Sequence, residues 1–512
     1  MNWFSRLTSA RVWLGVGIAL ILWCTLCSYI APLMYDDFAI FRYTGWRLTQ
    51  GDCLFADVWD HKSPIVFWFC AAGYWLTGGG DWGVETLLGL TWSVTLLCTY
   101  GGLRIFLSPR RAALGALLTV MAGIAYGGCG GTALLTVEGL ALTVDAVAFW
   151  IWARGEAEPG SEAWWRAPVL GMLAAAGLLI KANFVGLGCF LVAAWGLEVW
   201  QTRQWRRFWL RGLGAFLGFA IALGGVGALY WQSGTFAELL DASWLFNVYE
   251  YRSGGVGVLS LGICKSLIGR WPLSVRFPWV PLYGITCTVT AVCAGCFLIC
   301  RGASKARNRC LVLVLGAWFA VETLLVLLSG GIFEHYLLMG YLPLFALVAV
   351  TCPADCAGWA RGLRIGTLGL LLLLTLYFGR RTLKGTVIKL QMADTQRAAL
   401  TCPELAGGQV AVRGFISTAR LMIWNRAHTP QKYAFHFNFP VNAKRQERVL
   451  EELVAALEDP KTVAFISEWK AEKLEAARQR YPALDRALQP WHLVRHLPLM
   501  VSEVDLYLRQ AP

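Results

Sequence analysis

Residues 213–231 read LGAFLGFAIALGGVGALYW, nineteen residues without a charge, set between Arg211 and Gln232. A helix needs about 20 mostly apolar residues to cross a bilayer. A helix apolar all round has no face to offer water, so this stretch belongs in lipid. Runs of the same kind recur along the chain. Charged residues are 15% of the 512 and hydrophobic ones 57%, whereas soluble proteins carry about 25% charge. Mean hydropathy is +0.52. These values exclude a soluble globule and a disordered chain. The runs are long and continuous, not short and alternating, which excludes a β-barrel. The chain reads as an all-α polytopic membrane protein.

Net charge is +13, from 45 Lys and Arg against 32 Asp and Glu. In a membrane protein such an excess retains cytoplasmic loops. No basic run is interleaved with aromatics in the manner of a nucleic-acid surface, so membrane lipids and no nucleic acid are the expected surroundings. The 26 Trp suit interfacial belts. Many of the 16 cysteines, such as Cys287, Cys293, Cys296 and Cys300, lie in apolar runs and read as small apolar fillers. The first apolar segment, Val12–Pro32, lacks a small-residue cleavage site and reads as a retained helix.

Orientation follows from charge. Arg6 and Arg11 precede the first crossing and hold the N-terminus in the cytoplasm. Pro64–Leu76 is apolar but short. If it lies in the outer interface, Arg110 and Arg111 and the basic loops Arg154–Arg166, Arg203–Arg211, Arg301–Arg309 and Arg361–Arg364 all face inward; if it crosses, all face outward. The first arrangement satisfies the positive-inside rule. It gives about eleven crossings: Val12–Pro32, Trp82–Leu107, Ala112–Tyr126, Ala133–Trp152, Ala167–Ile180, Ala182–Trp200, Leu213–Trp231, Pro278–Cys300, Leu311–Ser329, Tyr336–Thr351 and Ile365–Phe378. The outer face then carries a first loop at 35–63, the turn at Lys181, a second loop at 232–277, the turn ending at His335 and the tail.

The tail changes character. Gln409–Phe415 reads as a strand, Thr418–Asn425 as a helix, Gln446–Leu457 as an amphipathic helix, Thr462–Ile466 as a strand, Glu468–Tyr481 as a helix, and His492–Leu499 and Val504–Leu508 as strands. Strands alternating with helices predict a small α/β domain. The expected division is 1–379 for the transmembrane domain and 380–512 for a soluble extracytoplasmic one.

The first loop, YDDFAIFRYTGWRLTQGDCLFADVWDHKSP over 35–64, holds Asp36, Asp37, Asp52, Asp57 and Asp60 with Arg42, Arg47, His61 and Lys62. So many charges beside apolar helices line an aqueous pocket or are paired. The spacing alone equally fits a solvated loop, with Asp36 or Asp37 capping a helix Phe38–Thr49, Gly51 stopping it, and Lys62 at the next helix start.

The order of elements resembles the first external loop of the GT-C glycosyltransferases, on the branch of protein O-mannosyltransferases and lipid A aminoarabinose transferases. Members show an acidic pair, then G-x-x-(P/L)-Y-x-D, then K-P-P. Here these are Asp36-Asp37, Gly51 to Asp57 with Phe55 in place of Tyr, and Lys62-Ser63-Pro64. Gly171–Lys181 resembles the superfamily's helix ending in Lys. Phe246-Asn247-Val248-Tyr249 resembles its aromatic-Asn element, and His335-Tyr336 followed by Leu342-Pro343 its late H-Y…P element. The resemblance spans roughly residues 1–380, and the tail is arranged like the periplasmic domain of bacterial members. Ala39 stands where the aminoarabinose transferases carry Arg, so neither sugar nor acceptor is read from the likeness.

The resemblance implies a membrane enzyme that transfers a hexosyl or pentosyl group, with inversion, from a polyprenyl-phosphate donor to a lipid, protein or glycan acceptor. Its place would be the outer face of a bacterial inner membrane. The attacking hydroxyl needs a base, for which Asp36 is the first candidate and Asp37 the second. The leaving phosphate needs cations or oriented donors, for which Lys62, His61, Lys181, His335 and Tyr336 are candidates. Asp57, Asp60, Glu138, Asn247 and Tyr249 are candidate cavity residues. Glu138, Asp145 and Glu322 are acids within crossings; Asp145 reads as a tie between helices. Three other readings stand beside this one, of which a pure scaffold is opposed by the charged outer loop. A lipid or glycan flippase without transfer chemistry would more often show internal repeats, and none is evident. A divalent ion on Asp36, Asp37, His61 and His335 would suit hard oxygen and imidazole ligands; the resembled branch is metal-independent at its reaction centre, so such a metal is open but not favoured and no cofactor is firmly predicted.

Overall fold

The structure, a computed structural model, describes residues 9–30, 38–126, 137–157, 163–181, 184–250, 306–328, 339–351, 387, 395, 398–414, 416–435, 443–469, 471–499 and 503–510. Its helices are α1 (Ala10–Ile30), α2 (Phe38–Thr49), α3 (Ile65–Leu76), α4 (Trp82–Phe106), α5 (Pro109–Tyr126), α6 (Val137–Ala157), α7 (Arg166–Ile180), α8 (Gly186–Thr202), α9 (Trp205–Gln232), α10 (Phe236–Leu240), which runs on as a π-helix over Asp241–Glu250, α11 (Ala306–Leu328) and α12 (Tyr341–Thr351). The tail holds β1 (Gln409–Arg413), α13 (Ile416–Trp424), α14 (Ala443–Glu458), β2 (Thr462–Ser467), α15 (Ala471–Arg480), α16 (Pro482–Leu488), β3 (Trp491–Pro498) and β4 (Glu503–Arg509). Among the described residues, nine helices overlap nine of the predicted crossings; Pro278–Cys300 and Ile365–Phe378 lie outside them. Three helices, Ala10–Tyr29, Trp82–Phe106 and Trp205–Gln232, are each long and apolar enough to cross a membrane. The chain is a multi-pass membrane protein.

The chain forms two compact units, each made of three separate segments: 1–25, 88–226 and 255–385 in the first, and 26–87, 227–254 and 386–512 in the second.

The first unit is a helix bundle. Its helices approach closely where side chains are smallest. A Cβ on Gly171 of α7 would sit 1.8 Å from the carbonyl oxygen of Ala215 on α9, and one on Gly218 of α9 would sit 1.9 Å from that of Pro168. Small residues allow such contact, which drives helix association in lipid. A ring cluster fills the interior: Phe190 lies 4.3 Å from Trp318 and 5.1 Å from Trp152, between centroids. Polar ties cross the bundle, as between the Thr95 and Thr143 hydroxyls at 2.8 Å. Glu322 accepts from the Trp318 indole at 3.0 Å, and a Cβ on Gly186 would fall 1.7 Å from its carboxylate oxygen, so a larger residue there would displace that side chain. Trp209, Phe216 and Ile221 of α9 are more than half exposed. Apolar surface on this scale is stable against lipid tails and not against water.

The second unit holds the tail together with α2, α3 and the 236–250 helices. Gly51, at φ +100°, ends α2, a backbone geometry that glycine adopts without a Cβ penalty. Gly45 lets α2 press on α3, since a Cβ there would meet that of Cys70 at 2.4 Å. The sheet order is β1-β2-β4-β3, with β1 parallel to β2 and the other pairs antiparallel. The parallel pair is joined through α13 and α14, as parallel strands require a crossover. Leu450, Leu453 and Leu457 of α14, spaced at helical intervals, bury against Ala411, Phe465, Leu484 and Trp491. The helix predicted over Glu468–Tyr481 is observed as α15 and ends before Pro482, where the residue preceding a proline disfavours helical backbone; α16, which Pro482 begins, is not among the predicted elements.

Candidate functional site

The loop after α2 is shaped by hydrogen bonds to its own acids. Asp57 accepts from the Cys53 N–H at 2.8 Å, and Phe55 N–H donates to the Val58 carbonyl at 2.8 Å. Phe55 is a non-glycine residue at φ +70°, a strained geometry costing about 1–3 kcal/mol. Its ring is fully buried, 5.7 Å from the ring of Tyr230, and this burial holds the strain in place.

The chain then turns through Asp60, His61 and Lys62. The Lys62 N–H donates to Asp60 Oδ1 at 2.9 Å, a side-chain turn of the kind aspartate favours. Lys62 Nζ lies 2.5 Å from His61 Nε2. An ammonium can only donate, so Nε2 accepts and the ring proton sits on Nδ1, which faces Asp60 Oδ1 at 3.5 Å. Asp60 and His61 are buried while Lys62 is half-buried. Asn247 on the π-helix donates to the His61 carbonyl at 2.8 Å and to the Ala242 and Ser243 carbonyls at 3.3 and 3.1 Å. The turn therefore presents one cation, backed by an imidazole and a carboxylate, on a backbone held by a second segment.

Two arginines of α2 anchor this region. Arg42 is fully buried; it donates to Glu85 at 2.6 Å, to the Asp81 carbonyl at 3.0 Å and to the Tyr74 hydroxyl at 3.2 Å. Burial opposes its charge, but Tyr74, Glu85 and Asp81 outweigh that and hold its pKa above the ordinary arginine value. Arg47 pairs with Asp52, and donates to the Tyr43 hydroxyl at 3.2 Å and to the Thr429 carbonyl of the tail at 2.7 Å. Trp59 N–H likewise donates to the Lys432 carbonyl at 2.9 Å.

In the first unit, Lys181 follows the last residue of α7 and reaches Glu138 in the first turn of α6 at 2.9 Å. The Glu138 side chain is 3% exposed and that of Lys181 16%. This pair is the electrostatic tie across α6 and α7.

The structure thus gathers Asp60, His61, Lys62 and Asn247 in one unit and Glu138 with Lys181 in the other. Asp57 is exposed and bound to its own loop, and Tyr249 is exposed at the end of the π-helix. Asp36, Asp37, His335 and Tyr336 lie outside the described residues. Among the described residues, no three His, Cys, Asp or Glu side chains converge as a metal site. Arg445 is the residue that sequence reasoning missed: it forks onto Asp241 at 2.9–3.1 Å, and its partner lies 204 positions away, beyond any local pattern.

Residues 61–231 match the family model described as dolichyl-phosphate-mannose-protein mannosyltransferase. No curated protein matches the chain by sequence. Among solved structures, the chain is similar to ArnT from Cupriavidus metallidurans bound to undecaprenyl phosphate, with a TM-score of 0.61 and 14% identity, covering 97% of this chain and 98% of that one. The apo state of the same protein gives a TM-score of 0.62 and 15% identity over the same shares. The apo oligosaccharyltransferase of Archaeoglobus fulgidus gives a TM-score of 0.50 and 10% identity, covering 96% of this chain and 74% of that one. The GT-C resemblance drawn from the loop elements, on the ArnT-like branch, is borne out by the family match and the shared fold.

Proposed function

Starting from the GT-C fold, we propose that this chain is a membrane glycosyltransferase that moves a sugar from a polyprenyl-phosphate donor to an acceptor at the outer face of the membrane. The observation that carries the reading is the Asp60–His61–Lys62 turn. It offers a cation half open to solvent from a buried polar base, and it stands where the family match begins. The fold neighbour solved with undecaprenyl phosphate supports a lipid-phosphate ligand of this kind.

In this reading the chain divides at 379/380 into a catalytic transmembrane part and an extracytoplasmic tail, in a bacterial inner membrane with the N-terminus inside. Lys62 is the cation that the Asp60–Lys62 turn offers to neutralise the phosphate as it leaves; Lys181, His335 and Tyr336 are the further candidates that the sequence resemblance supplies. Such charge-assisted bonds are roughly twice as strong as neutral ones, and strongest where water is scarce. Asp36 takes the proton from the acceptor hydroxyl as it attacks the anomeric carbon; Asp37 is the alternative. The carbon–phosphate-oxygen bond breaks with inversion, and polyprenyl phosphate departs with the electron pair.

The test is transfer from radiolabelled polyprenyl-phosphate sugars to membrane extracts. The wild type should transfer label. Asp36→Asn should transfer none at undiminished protein level, because it removes the base at constant volume. Wild-type rates in that variant would leave Asp36 structural.

A further inference from the structure

The tail contributes Arg445 and Tyr433 to the surroundings of the Asp60–Lys62 turn. Arg445, in the first turn of α14, forks onto Asp241 at the start of the π-helix: Nη1 to Oδ2 at 3.1 Å, and Nη2 to Oδ1 and Oδ2 at 2.9 and 3.1 Å. Its guanidinium carbon also lies 5.0 Å from the ring of Trp59, 5.2 Å from Phe246 and 5.7 Å from Tyr433. The rings pack on one another, Trp59 with Phe246 at 5.1 Å and with Tyr433 at 5.5 Å. Three rings from three distant segments thus form a box around one cation that is fixed at its far end by a carboxylate. Guanidinium suits this place and ammonium does not, because a flat fork stacks and bonds at once.

Each member of the box adjoins the turn. Trp59 directly precedes Asp60. Phe246 directly precedes Asn247, which holds the His61 carbonyl at 2.8 Å, and the rings of Phe246 and His61 are 5.6 Å apart. Tyr433 follows Lys432, whose carbonyl accepts the Trp59 N–H at 2.9 Å. We infer that Arg445 is a positioning residue, by which the tail fixes the Asp60–Lys62 turn through Trp59 and Phe246 and so sets its grip on the lipid phosphate. Its last clause rests on the proposed function; the mechanical tie does not.

The experiment uses the full chain in lipid nanodiscs, with two readouts. Amide hydrogen exchange follows residues 59–62, and undecaprenyl phosphate titration gives affinity. Arg445→Met should speed exchange at Trp59 and Lys62 at least tenfold, with exchange in β1 and β2 unchanged, and weaken undecaprenyl phosphate binding about tenfold. Arg445→Lys should recover only part of both, because the charge returns without the fork. Should Arg445→Met also loosen β1 and β2, Asp241→Asn carries the test: it keeps the box and releases its far end, and should speed exchange about threefold. Unchanged exchange at 59–62 in that variant, or in Arg445→Met with an intact sheet, overturns the tie. Faster exchange with unchanged affinity overturns the control of binding. A wild type that binds no undecaprenyl phosphate sinks the phosphate reading, while the exchange data still decide the tie.

Discussion

Lys181→Met separates a structural lysine from a ligand-binding one. The substitution keeps a long apolar stem and removes the charge, leaving Glu138, with its side chain 3% exposed, without its lysine partner. At 2.9 Å and an effective dielectric of about 20, the Coulomb attraction in the pair is about 6 kcal/mol. Desolvation offsets much of that gain, yet removing one partner of a buried pair still costs about 3–5 kcal/mol. Glu138→Gln leaves behind the more exposed member and should cost about 1–2 kcal/mol. The double variant removes both charges together and should lie close to the wild type, so the coupling in a double-mutant cycle should exceed about 2 kcal/mol. Equilibrium unfolding of the purified protein in detergent measures all four corners. Coupling below about 0.5 kcal/mol would refute the reasoning and make the contact incidental. The same variants then report on the ligand. If Lys181 also serves the donor phosphate, Glu138 competes for it, and Glu138→Gln should tighten undecaprenyl phosphate binding while Lys181→Met weakens it.

Three further outcomes are expected. Arg42→Lys replaces a fork that reaches Glu85, Asp81 and Tyr74 with a single ammonium, and should cost about 3 kcal/mol in the same unfolding assay. Reporter fusions that work only outside the cytoplasm should be active after Arg381 and inactive at Arg206; the reverse pattern would invert the topology. His428, exposed to solvent, has its pKa lowered from 6.5 by partial desolvation and by the Arg47 guanidinium. The unfolded chain therefore takes up its proton first, and the contribution of this residue to stability, full above about pH 6.5, is lost as pH falls. His428→Gln should flatten the loss of stability on acidification below that pH, read from unfolding curves at pH 7 and below.

Helices were legible in the sequence where a long apolar run left lipid as the only solvent for it. Val12–Pro32, Trp82–Leu107 and Leu213–Trp231 needed no tertiary information, and the helices Ala10–Ile30, Trp82–Phe106 and Trp205–Gln232 overlap them. Phe38–Thr49 was legible from its stop, because Gly51 supplies a backbone angle of +100° that other residues resist. The tail's strands were legible from alternation, but not their order. Nothing in the residues of β4 says that it inserts between β2 and β3; that follows from burying both flanks of a short sheet.

The candidate site was legible only so far as its residues are consecutive. Asp60, His61 and Lys62 stand side by side in the chain, and their contacts follow from a three-residue turn. Lys181 and Glu138 were both visible as charges at the ends of apolar runs, yet their pairing required α6 and α7 to pack. Arg42 and Arg47 were visible as cations in an acidic loop, but their acceptors are a glutamate on α4 and a carbonyl in the tail. Arg445 lies further still from any local signal: on α14 it occupies one position among several charged ones, four residues before Val449 and eight before Leu453 at the edge of the buried face, and nothing there names its partners. What buries it is a carboxylate at 241 and rings at 59, 246 and 433. A cation–ring box is specified by side chains that agree in space and by nothing along the chain. The first outer loop, the start of the second and the tail, which charge counting placed on one side of the membrane, share one compact unit. That contact is the physical reason a tail residue can act on a loop nearly four hundred positions earlier in the chain.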